Sequence, residues 1–332
     1  MREVSSQQME KRNLGPLGPV SRLTLGGGGL GQLWGRTDRR ECVATVRAAV
    51  DAGIDLIDLA YRYGEGEAEL VFGAAFEGRP PTGVRVTSKC LLGNTPAAAI
   101  EARLRQSVQD SLARLRLERL DLFFLHSNVA PDDHPMRQHP DAGARMTAHS
   151  DFVAVVRPCL ERLVAEGLIG AWGLTGIGHP DAIIDLLGDR PPPAVVQCIA
   201  NPLDSPGSLK FYDGPARPRE IIAAAQANQV GVMGIRAVQA GALTAAIDRD
   251  LPDEHPEVRD YNRAGAYRAL AAELGIPAAA LGHRYALAMT GVDTVVLGVK
   301  NRMELAECVA AADAGPLPAD LMARVDGCFR EK

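Results

Sequence analysis

Short apolar runs alternate with longer amphipathic stretches along most of this sequence, and this alternation restricts the fold more than any other feature. The short runs have the length of buried strands, and the stretches between them have the period of helices. Strands that alternate with helices form parallel sheets, because a parallel connection must cross back over the sheet. Eight such units predict a closed (β/α)8 TIM barrel, with an open doubly wound sheet as the alternative. The predicted strands are Arg22–Leu25, Ile54–Leu59, Val84–Lys89, Leu120–Leu125, Ile169–Thr175, Ala194–Cys198, Val230–Ile235 and Thr294–Leu297.

The barrel is expected to form a single domain. No charged or Pro/Gly-rich linker divides the chain, so residues 11–332 are assigned to the barrel and residues 1–10 to a flexible N-terminus. Two polar insertions, Asn128–Ser150 and Asn201–Arg217, follow predicted strands. Long loops at the carboxyl ends of barrel strands are expected to shape a pocket. The three histidines of the first insertion could bind a metal ion, but a solvated substrate loop is the favoured interpretation, and no metal site is predicted.

The balance of charge excludes several classes of function. The chain has 36 basic and 41 acidic residues, a net charge of −5, so it has no basic excess for nucleic acid. No apolar run approaches the ~20 residues of a membrane span. The segment Met1–Lys11 is polar, which predicts a cytoplasmic protein. The six cysteines are scattered without a C-x-x-C pair, so reduced thiols are expected rather than disulfides or a zinc site.

A glycine-rich segment, Gly26–Gly31, contains the pattern G-x-G-x-x-G. A dinucleotide-binding Rossmann motif would open a helix inside this pattern. The following residues lack a helical apolar period until about Asp38. The segment is therefore predicted to be a loop that lines a pocket, with Trp34 as its apolar wall.

Polar side chains end three successive predicted strands. Because side chains alternate between the two faces of a strand, Asp58, Lys89 and His126 are each expected to point into the barrel mouth. The loop after the second strand adds Tyr61 and Tyr63. Taken singly, the aspartate could cap a turn, the lysine could be solvated, and the histidine could be structural. Together they predict a polar cluster at one end of the barrel.

Residues Gly53–Gly64 resemble the G-x-x-x-x-D-T-A-x-x-Y-G signature of the aldo-keto reductase superfamily. The match continues through Glu67–Gly73. Ser111–Leu115 and Leu120–His126 are similar to the helix and fourth strand that lead to the histidine of that family, and Gly167–Thr175 is similar to a later stretch. The resemblance extends from about Lys11 to Ala312.

The resemblance implies three features of the fold beyond the barrel itself. An N-terminal hairpin over Lys11–Leu17 would close the bottom of the barrel. The block Val258–Thr290 and the tail Pro318–Phe329 would supply extra C-terminal helices.

The resemblance also implies a role for each member of the polar cluster. Tyr63 would be the general acid/base, Lys89 would tune its pKa, Asp58 would hold Lys89, and His126 would orient the carbonyl or share its proton. A tyrosine with a pKa of ~10 is a poor acid at neutral pH, and a nearby ammonium stabilises its phenolate. Tyr61 has the wrong spacing from Asp58 for this role and is assigned to packing or to the pocket wall.

The cofactor residues match the family less closely. Thr175-Gly176 replaces a Ser-Asn pair that holds the nicotinamide carboxamide, and Gln197 fits the glutamine of that site. Arg236 stands where the family stacks an aromatic ring, and its planar guanidinium could replace that ring. A salt-bridged arginine at the rim is the alternative.

Contacts to the rest of the dinucleotide are also implied by the resemblance. Lys300 and Arg302 place two cations near the expected adenosine phosphate, which predicts NADP, with NAD possible. Ordinary surface charge is the alternative interpretation of both residues. The implied contacts are Gly241, Leu243, Gly298, Lys300, Arg302 and Glu307.

The resulting prediction is an NADP-dependent aldo-keto reductase that reduces an aldehyde or ketone. Candidate substrate contacts are Trp34, Tyr61 and Asn128. The alternatives are an NAD-dependent aldose 1-dehydrogenase and a nucleotide-sensing regulatory subunit with little turnover. The expected partner is a small carbonyl or sugar substrate, and no sequence feature indicates an oligomeric state.

Overall fold

The computed structural model describes residues 9–330, and Met1–Gln8 of the predicted flexible N-terminus lie outside that range. The strands are β1 Lys11–Asn13, β2 Pro19–Ser21, β3 Leu23–Gly26, β4 Leu56–Asp58, β5 Arg85–Cys90, β6 Leu122–Leu125, β7 Asn128–Ala130, β8 Met146–Ala148, β9 Trp172–Thr175, β10 Val195–Ile199, β11 Gly231–Ile235 and β12 Thr294–Leu297. The helices are α1 Gly27–Leu30, α2 Arg39–Asp51, α3 Glu67–Phe76, α4 Ala97–Leu115, α5 Pro140–Gly143, α6 His149–Asp151, α7 Arg157–Ala165, α8 Pro180–Gly188, α9 Pro218–Ala227, α10 Pro256–Arg263, α11 Gly265–Glu273, α12 Ala278–Ala288, α13 Arg302–Asp313 and α14 Ala319–Gly327.

The predicted (β/α)8 barrel is confirmed. Strands β3, β4, β5, β6, β9, β10, β11 and β12 pair in parallel in this order, and β12 pairs with β3 to close the barrel. Every predicted strand overlaps one of these strands, and the differences are at the ends. The backbone N–H of Ile54, for example, bonds to Ala49 O at 3.0 Å, so this residue completes the end of α2 instead of joining the sheet.

Helix ends follow from local hydrogen bonding. The Asp38 carboxylate accepts the backbone N–H of Glu41 at 2.9 Å and starts α2. The Asn301 side chain does the same for Glu304 at 2.9 Å and starts α13. The block Val258–Thr290 contains most of α10 and the whole of α11 and α12, and α14 lies within the predicted tail.

The barrel interior is filled by side chains that share one face of each strand. Leu56, Leu122, Phe124, Val195 and Met233 are fully buried in one inner cluster. Leu56, Phe124 and Val195 are each followed two residues later by a polar side chain on the same face, namely Asp58, His126 and Gln197. This alternation is what places polar groups at one mouth of the barrel.

The N-terminal hairpin covers the opposite mouth. Strands β1 and β2 pair antiparallel, with Arg12 opposite Val20. Leu14 and Val20 are fully buried against the inner cluster, so the hairpin closes the amino end of the barrel with apolar side chains. The hairpin runs from Lys11 to Ser21, which is longer than the expected Lys11–Leu17.

The insertion after β6 is more ordered than the sequence indicates. Its ends form a short parallel pair, with Asn128 opposite Met146 in β7 and β8. His134 and His139 each accept a backbone N–H through Nδ1 at the start of a helical turn. Within residues 9–330, no group of three or more His, Cys, Asp or Glu side chains has a geometry that could hold a metal ion.

Over residues 9–330, no helix is both long enough and apolar enough to cross a bilayer.

Candidate active site

Lys89 lies at the centre of a buried hydrogen-bond network at the carboxyl end of the barrel. Its Nζ donates to Asp58 Oδ2 at 2.9 Å, to Leu59 O at 2.8 Å and to Tyr63 Oη at 3.1 Å. These three acceptors use all three N–H bonds of an ammonium group. The lysine is therefore held in one position, with its charge between a carboxylate and a phenol.

The Asp58 carboxylate is held from three sides. Thr87 Oγ1 donates to Oδ1 at 2.8 Å, Gln197 Nε2 donates to the same oxygen at 2.7 Å, and Lys89 occupies Oδ2. Residues from β4, β5 and β10 thus meet at one carboxylate. Gln197, which was predicted to hold the nicotinamide carboxamide, therefore also donates a hydrogen bond to Asp58.

Tyr63 stands on the loop after β4, and Gly31 from the glycine-rich segment packs directly against it. A Cβ on Gly31 would lie 2.3 Å from the carbonyl carbon of Tyr63, so only glycine allows this approach. The tyrosine ring meets the His126 ring edge to face, with centroids 5.8 Å apart. Gly27–Leu30 forms the short helix α1, so the prediction of a loop is wrong for these residues. The glycine pattern nevertheless supports the tyrosine loop within the barrel and forms no Rossmann unit.

Charges and burial shift the pKa values of this cluster in different directions. Burial by itself would lower the pKa of Lys89, but the Asp58 carboxylate and the hydrogen bonds to it and to Tyr63 raise that pKa, so the lysine stays charged. Burial raises the pKa of Tyr63, and the Lys89 charge opposes this effect without overcoming it. The expected lowering of the tyrosine pKa by lysine is therefore present but outweighed.

His126 is held in its neutral form. Burial, followed by the positive charges of Lys89, Arg62 and Arg145, keeps the pKa of His126 well below its usual value. Its Nδ1 is buried and has no hydrogen-bond partner among residues 9–330. A neutral imidazole can donate or accept one hydrogen bond to an oxygen without adding a charge.

A cavity of about 820 Å³ opens from this cluster and runs across the barrel mouth. Trp34 and Gly28 form part of its wall. A Cβ on Gly28 would lie 2.6 Å from Trp34 Nε1, so the glycine leaves the space that the indole occupies. The volume is within the ~300–1,000 Å³ range of small-molecule sites.

Most of the predicted site residues meet at this cavity. Lys89 does not line the cavity itself but contacts two residues that do, Asp58 and Tyr63. The Asn128 amide lines the cavity and also donates to Leu209 O at 3.1 Å. The predicted residues that line it are Trp34, Asp58, Tyr63, His126, Asn128, Thr175, Gln197, Arg236, Gly241, Gly298, Lys300 and Glu307.

Three predicted residues lie elsewhere. Tyr61 is 45% exposed and stacks on the Arg114 guanidinium, which argues against the predicted substrate contact. Leu243 is fully buried in the hydrophobic core. Arg302 donates to the Glu41 carboxylate at 3.0 and 2.9 Å and does not line the cavity.

Two cavity cations that were expected to face the cofactor are already paired with carboxylates. Arg236 donates to Glu257 at 2.6 Å, and both side chains are buried. Its backbone has a φ of 57°, in the left-handed region, so the ion pair holds a strained turn after β11. Lys300 contacts Asp248, and its Nζ lies 3.3 Å from Glu304.

Sequence reasoning missed three arginines of the cavity, Arg62, Arg145 and Arg249. The first lies between the two tyrosines of the loop after β4, and this position could have indicated it. The second lies inside a polar insertion, and the third follows the predicted cofactor contacts Gly241 and Leu243 in the chain. Neither of these two has a sequence signal that distinguishes it from a surface arginine.

A barrel with this buried Tyr-Lys-Asp network and a neighbouring histidine defines a class of oxidoreductases, and comparison with known protein families leads to the same class. The Aldo/keto reductase family model matches residues 22–330, so the chain belongs to this family.

Among its relatives, L-galactose dehydrogenase of Arabidopsis thaliana is 25% identical over 307 residues, covering 92% of this chain and 88% of the plant enzyme. D-threo-aldose 1-dehydrogenase of a Pseudomonas species is 25% identical over 333 residues, covering 92% of this chain and 93% of the relative. The fold is similar to that of the holo form of an aldo-keto reductase from Bacillus halodurans, with a TM-score of 0.73, 23% identity and 97% of each chain covered.

Proposed function

We propose that this protein interconverts a carbonyl and a hydroxyl group with a nicotinamide dinucleotide, and that Tyr63 is its general acid/base. One observation carries the proposal: Tyr63 lines the cavity while Lys89 Nζ, 3.1 Å from its hydroxyl oxygen, links it to Asp58. A phenol in this position can give a proton to a carbonyl oxygen or take one from a hydroxyl.

The cavity fits a dinucleotide at both of its ends. Thr175 and Gln197 would hold the nicotinamide carboxamide, and Gly298 and Glu307 would contact the adenosine end. The glycines that line the cavity leave room for a ligand to approach the backbone. When bound, the nicotinamide supplies or accepts the hydride.

The chain's own residues would control the proton. In reduction, Tyr63 donates its hydroxyl proton to the carbonyl oxygen, and the Lys89 ammonium stabilises the phenolate that remains. Asp58 keeps Lys89 charged and in place. His126, which is neutral, would hydrogen-bond the same oxygen and orient the carbonyl. In oxidation the phenolate takes the proton from the hydroxyl.

Two cations near the adenosine end are paired with carboxylates, which removes the basis for preferring NADP over NAD, while Arg249 lines the cavity without a carboxylate partner within residues 9–330. The sequence prediction of NADP relied on Lys300 and Arg302. Lys300 is in contact with Asp248 and Arg302 with Glu41, so neither charge is available alone to a 2′-phosphate. Asp248 lines the cavity and would repel that phosphate.

The first test is absorbance at 340 nm with NADH and then NADPH, against aromatic and aliphatic aldehydes. Tyr63→Phe is expected to lose about 10²–10⁴-fold in rate, because positioned acid catalysis contributes about that much. Tyr61→Phe is the matched control, since it removes the same hydroxyl outside the cavity and is expected to keep full activity. A loss of less than about tenfold in Tyr63→Phe would contradict the role of this residue.

A sugar 1-dehydrogenase is the second candidate, because two relatives matched over 92% of this chain are named for the oxidation of L-galactose and D-threo-aldoses. The same residues would act in the oxidative direction, with Tyr63 as the base. Reduction of NAD by aldoses, faster than any aldehyde reduction and lost in Tyr63→Phe, would favour this function. Absence of sugar turnover in the presence of aldehyde reduction would favour the first.

A further inference from the structure

Among residues 9–330, two arginines at the catalytic end of the cavity form no ion pair with a carboxylate. Arg62 follows β4 next to Tyr63, and Arg145 precedes β8, so the two come from different segments and line the same space. Arg236 and Lys300, which line the same cavity, are both paired with carboxylates. Arg249 instead donates to Ala240 O and stacks over Trp34.

Both guanidinium groups act on the reaction centre. Arg62 and Arg145 line the same cavity as His126, and their positive charges contribute to the lowered pKa of its imidazole. Both residues are exposed, so each guanidinium remains hydrated and available to a ligand. Arg145 also stacks over Phe211, with 5.8 Å from its guanidinium carbon to the ring centroid, and this contact orients its group.

These arginines lie away from the region expected to take the dinucleotide phosphates. Gly241 and Lys300 follow β11 and β12, whereas Arg62 follows β4 and Arg145 belongs to the insertion after β6. In the barrel, β3 lies between β12 and β4, so the loops that carry the two arginines leave the barrel at different strands from the loops expected to bind the phosphates. The pair therefore faces the space left for the substrate.

We propose that the substrate carries an anionic group, a carboxylate or a phosphate, which Arg62 and Arg145 bind while its carbonyl or hydroxyl lies at Tyr63. This inference rests on the proposed function, whose catalytic site it extends. A guanidinium matches the two oxygens of a carboxylate or phosphate in a planar, bidentate contact. An anion would also relieve the repulsion between two cations beside neutral His126. The apolar neighbours Phe211, Leu209 and Leu91 would contact the carbon skeleton.

The kinetic test compares matched charged and neutral substrates. The pairs are 4-carboxybenzaldehyde with 4-methylbenzaldehyde, and glyceraldehyde 3-phosphate with glyceraldehyde, so the two arms distinguish a carboxylate from a phosphate. In the protein without substitutions, kcat/KM is expected to be higher for the charged member of at least one pair. In Arg62→Gln and in Arg145→Gln, the charged-to-neutral ratio is expected to fall about 10-fold or more, mainly through KM, since each loses a charge-assisted hydrogen bond.

Arg40→Gln is the matched control, because it removes one exposed arginine charge from α2, outside the cavity. The ratio is expected to stay unchanged in this variant. A ratio that is the same in all four proteins would overturn the proposal, as would a loss of the same size in Arg40→Gln.

A binding measurement separates this inference from the proposed function. Calorimetric titration with 4-(hydroxymethyl)benzoate and with 4-methylbenzyl alcohol, with and without NADH, requires no turnover. If 4-(hydroxymethyl)benzoate binds more tightly than 4-methylbenzyl alcohol, and both arginine variants lose this preference, the anion site is supported. This conclusion holds even if Tyr63→Phe remains active and the acid/base proposal fails. Equal binding of both alcohols, together with no preference for the charged member of either kinetic pair and with Tyr63→Phe inactive, overturns the anion site and leaves the proposed function standing.

Discussion

Lys89 Nζ lies 2.9 Å from Asp58 Oδ2 inside the barrel mouth, and the two side chains are 0% and 2% exposed. A buried ion pair of this kind is costly to break, because the remaining charge is left without a partner. Because Lys89 also donates to the Tyr63 hydroxyl, the same ion pair stabilises the barrel and positions the proposed general acid/base.

Lys89→Met is expected to lower the free energy of unfolding by about 3–5 kcal/mol, because it leaves the Asp58 carboxylate buried and uncompensated. Adding Asp58→Asn should recover part of this loss, since the buried charge is then removed. Urea unfolding of the two single variants and the double variant measures the coupling between the residues. Additive losses in this double-mutant cycle would show that they are not coupled.

The pH dependence of stability should report on His126. Its pKa is lowered in the folded protein, so the unfolded chain binds more protons below about pH 6.5. The stabilisation that comes from keeping this imidazole neutral is therefore present above that pH and is lost as the pH falls, by up to about 1.4 kcal/mol per pH unit. His126→Asn cannot titrate, and its stability relative to the native sequence should improve on going from about pH 7.5 to about pH 5. A pH-independent difference in urea unfolding would contradict this account.

The two reaction directions should respond differently to pH. Burial raises the pKa of Tyr63, so the phenol remains protonated from about pH 7 to about pH 9. Reduction, which uses the protonated form, should show a nearly constant kcat over this interval. Oxidation, which uses the phenolate, should become faster as the pH rises. Stopped-flow measurements in both directions test this, and a falling rate of reduction below about pH 9 would contradict the raised pKa.

Asp248 should govern the choice between the two dinucleotides. Asp248→Asn removes one of the two carboxylates beside Lys300 and one negative charge from the cavity, so NADPH binding should strengthen relative to NADH by about tenfold. Calorimetric dissociation constants for the two cofactors provide the measurement. Asp250→Asn is the control, because it removes the same charge from an exposed neighbour that does not line the cavity. Equal shifts in the two variants would indicate a general effect of net charge.

The buried pair of Arg236 and Glu257 should stabilise the turn after β11. Burial acts to raise the pKa of Glu257, but hydrogen bonds from Ser208 and the Arg236 charge lower it, so the pair is ionic. Glu257→Gln should cost about 3–5 kcal/mol in urea unfolding and weaken dinucleotide binding. Glu254→Gln, at an exposed position before α10, should change neither. A loss of stability without any change in dinucleotide affinity would separate this turn from the cofactor site.

Local patterns in the sequence were sufficient to predict the barrel and its central polar cluster. The buried strands appear as short apolar runs, and Asp38 and Asn301 cap helices through contacts within three residues. The alternation of side chains along a strand then determines that Asp58, Lys89 and His126 point inward. Once the strands are adjacent, these residues have to meet.

The tertiary structure decided which charges are available at the cavity. Lys300 contacts Asp248, 52 residues away, and Arg302 contacts Glu41, 261 residues away, so neither pairing has a local signal. Arg62 and Arg145 reach the cavity without a carboxylate partner in the described range, while Tyr61 faces outward, only two residues from the tyrosine that faces in. Strand periodicity is a property of neighbouring residues and can be predicted from sequence. The pairing of charges depends on distances between segments that are far apart in the chain, and only the folded barrel sets those distances.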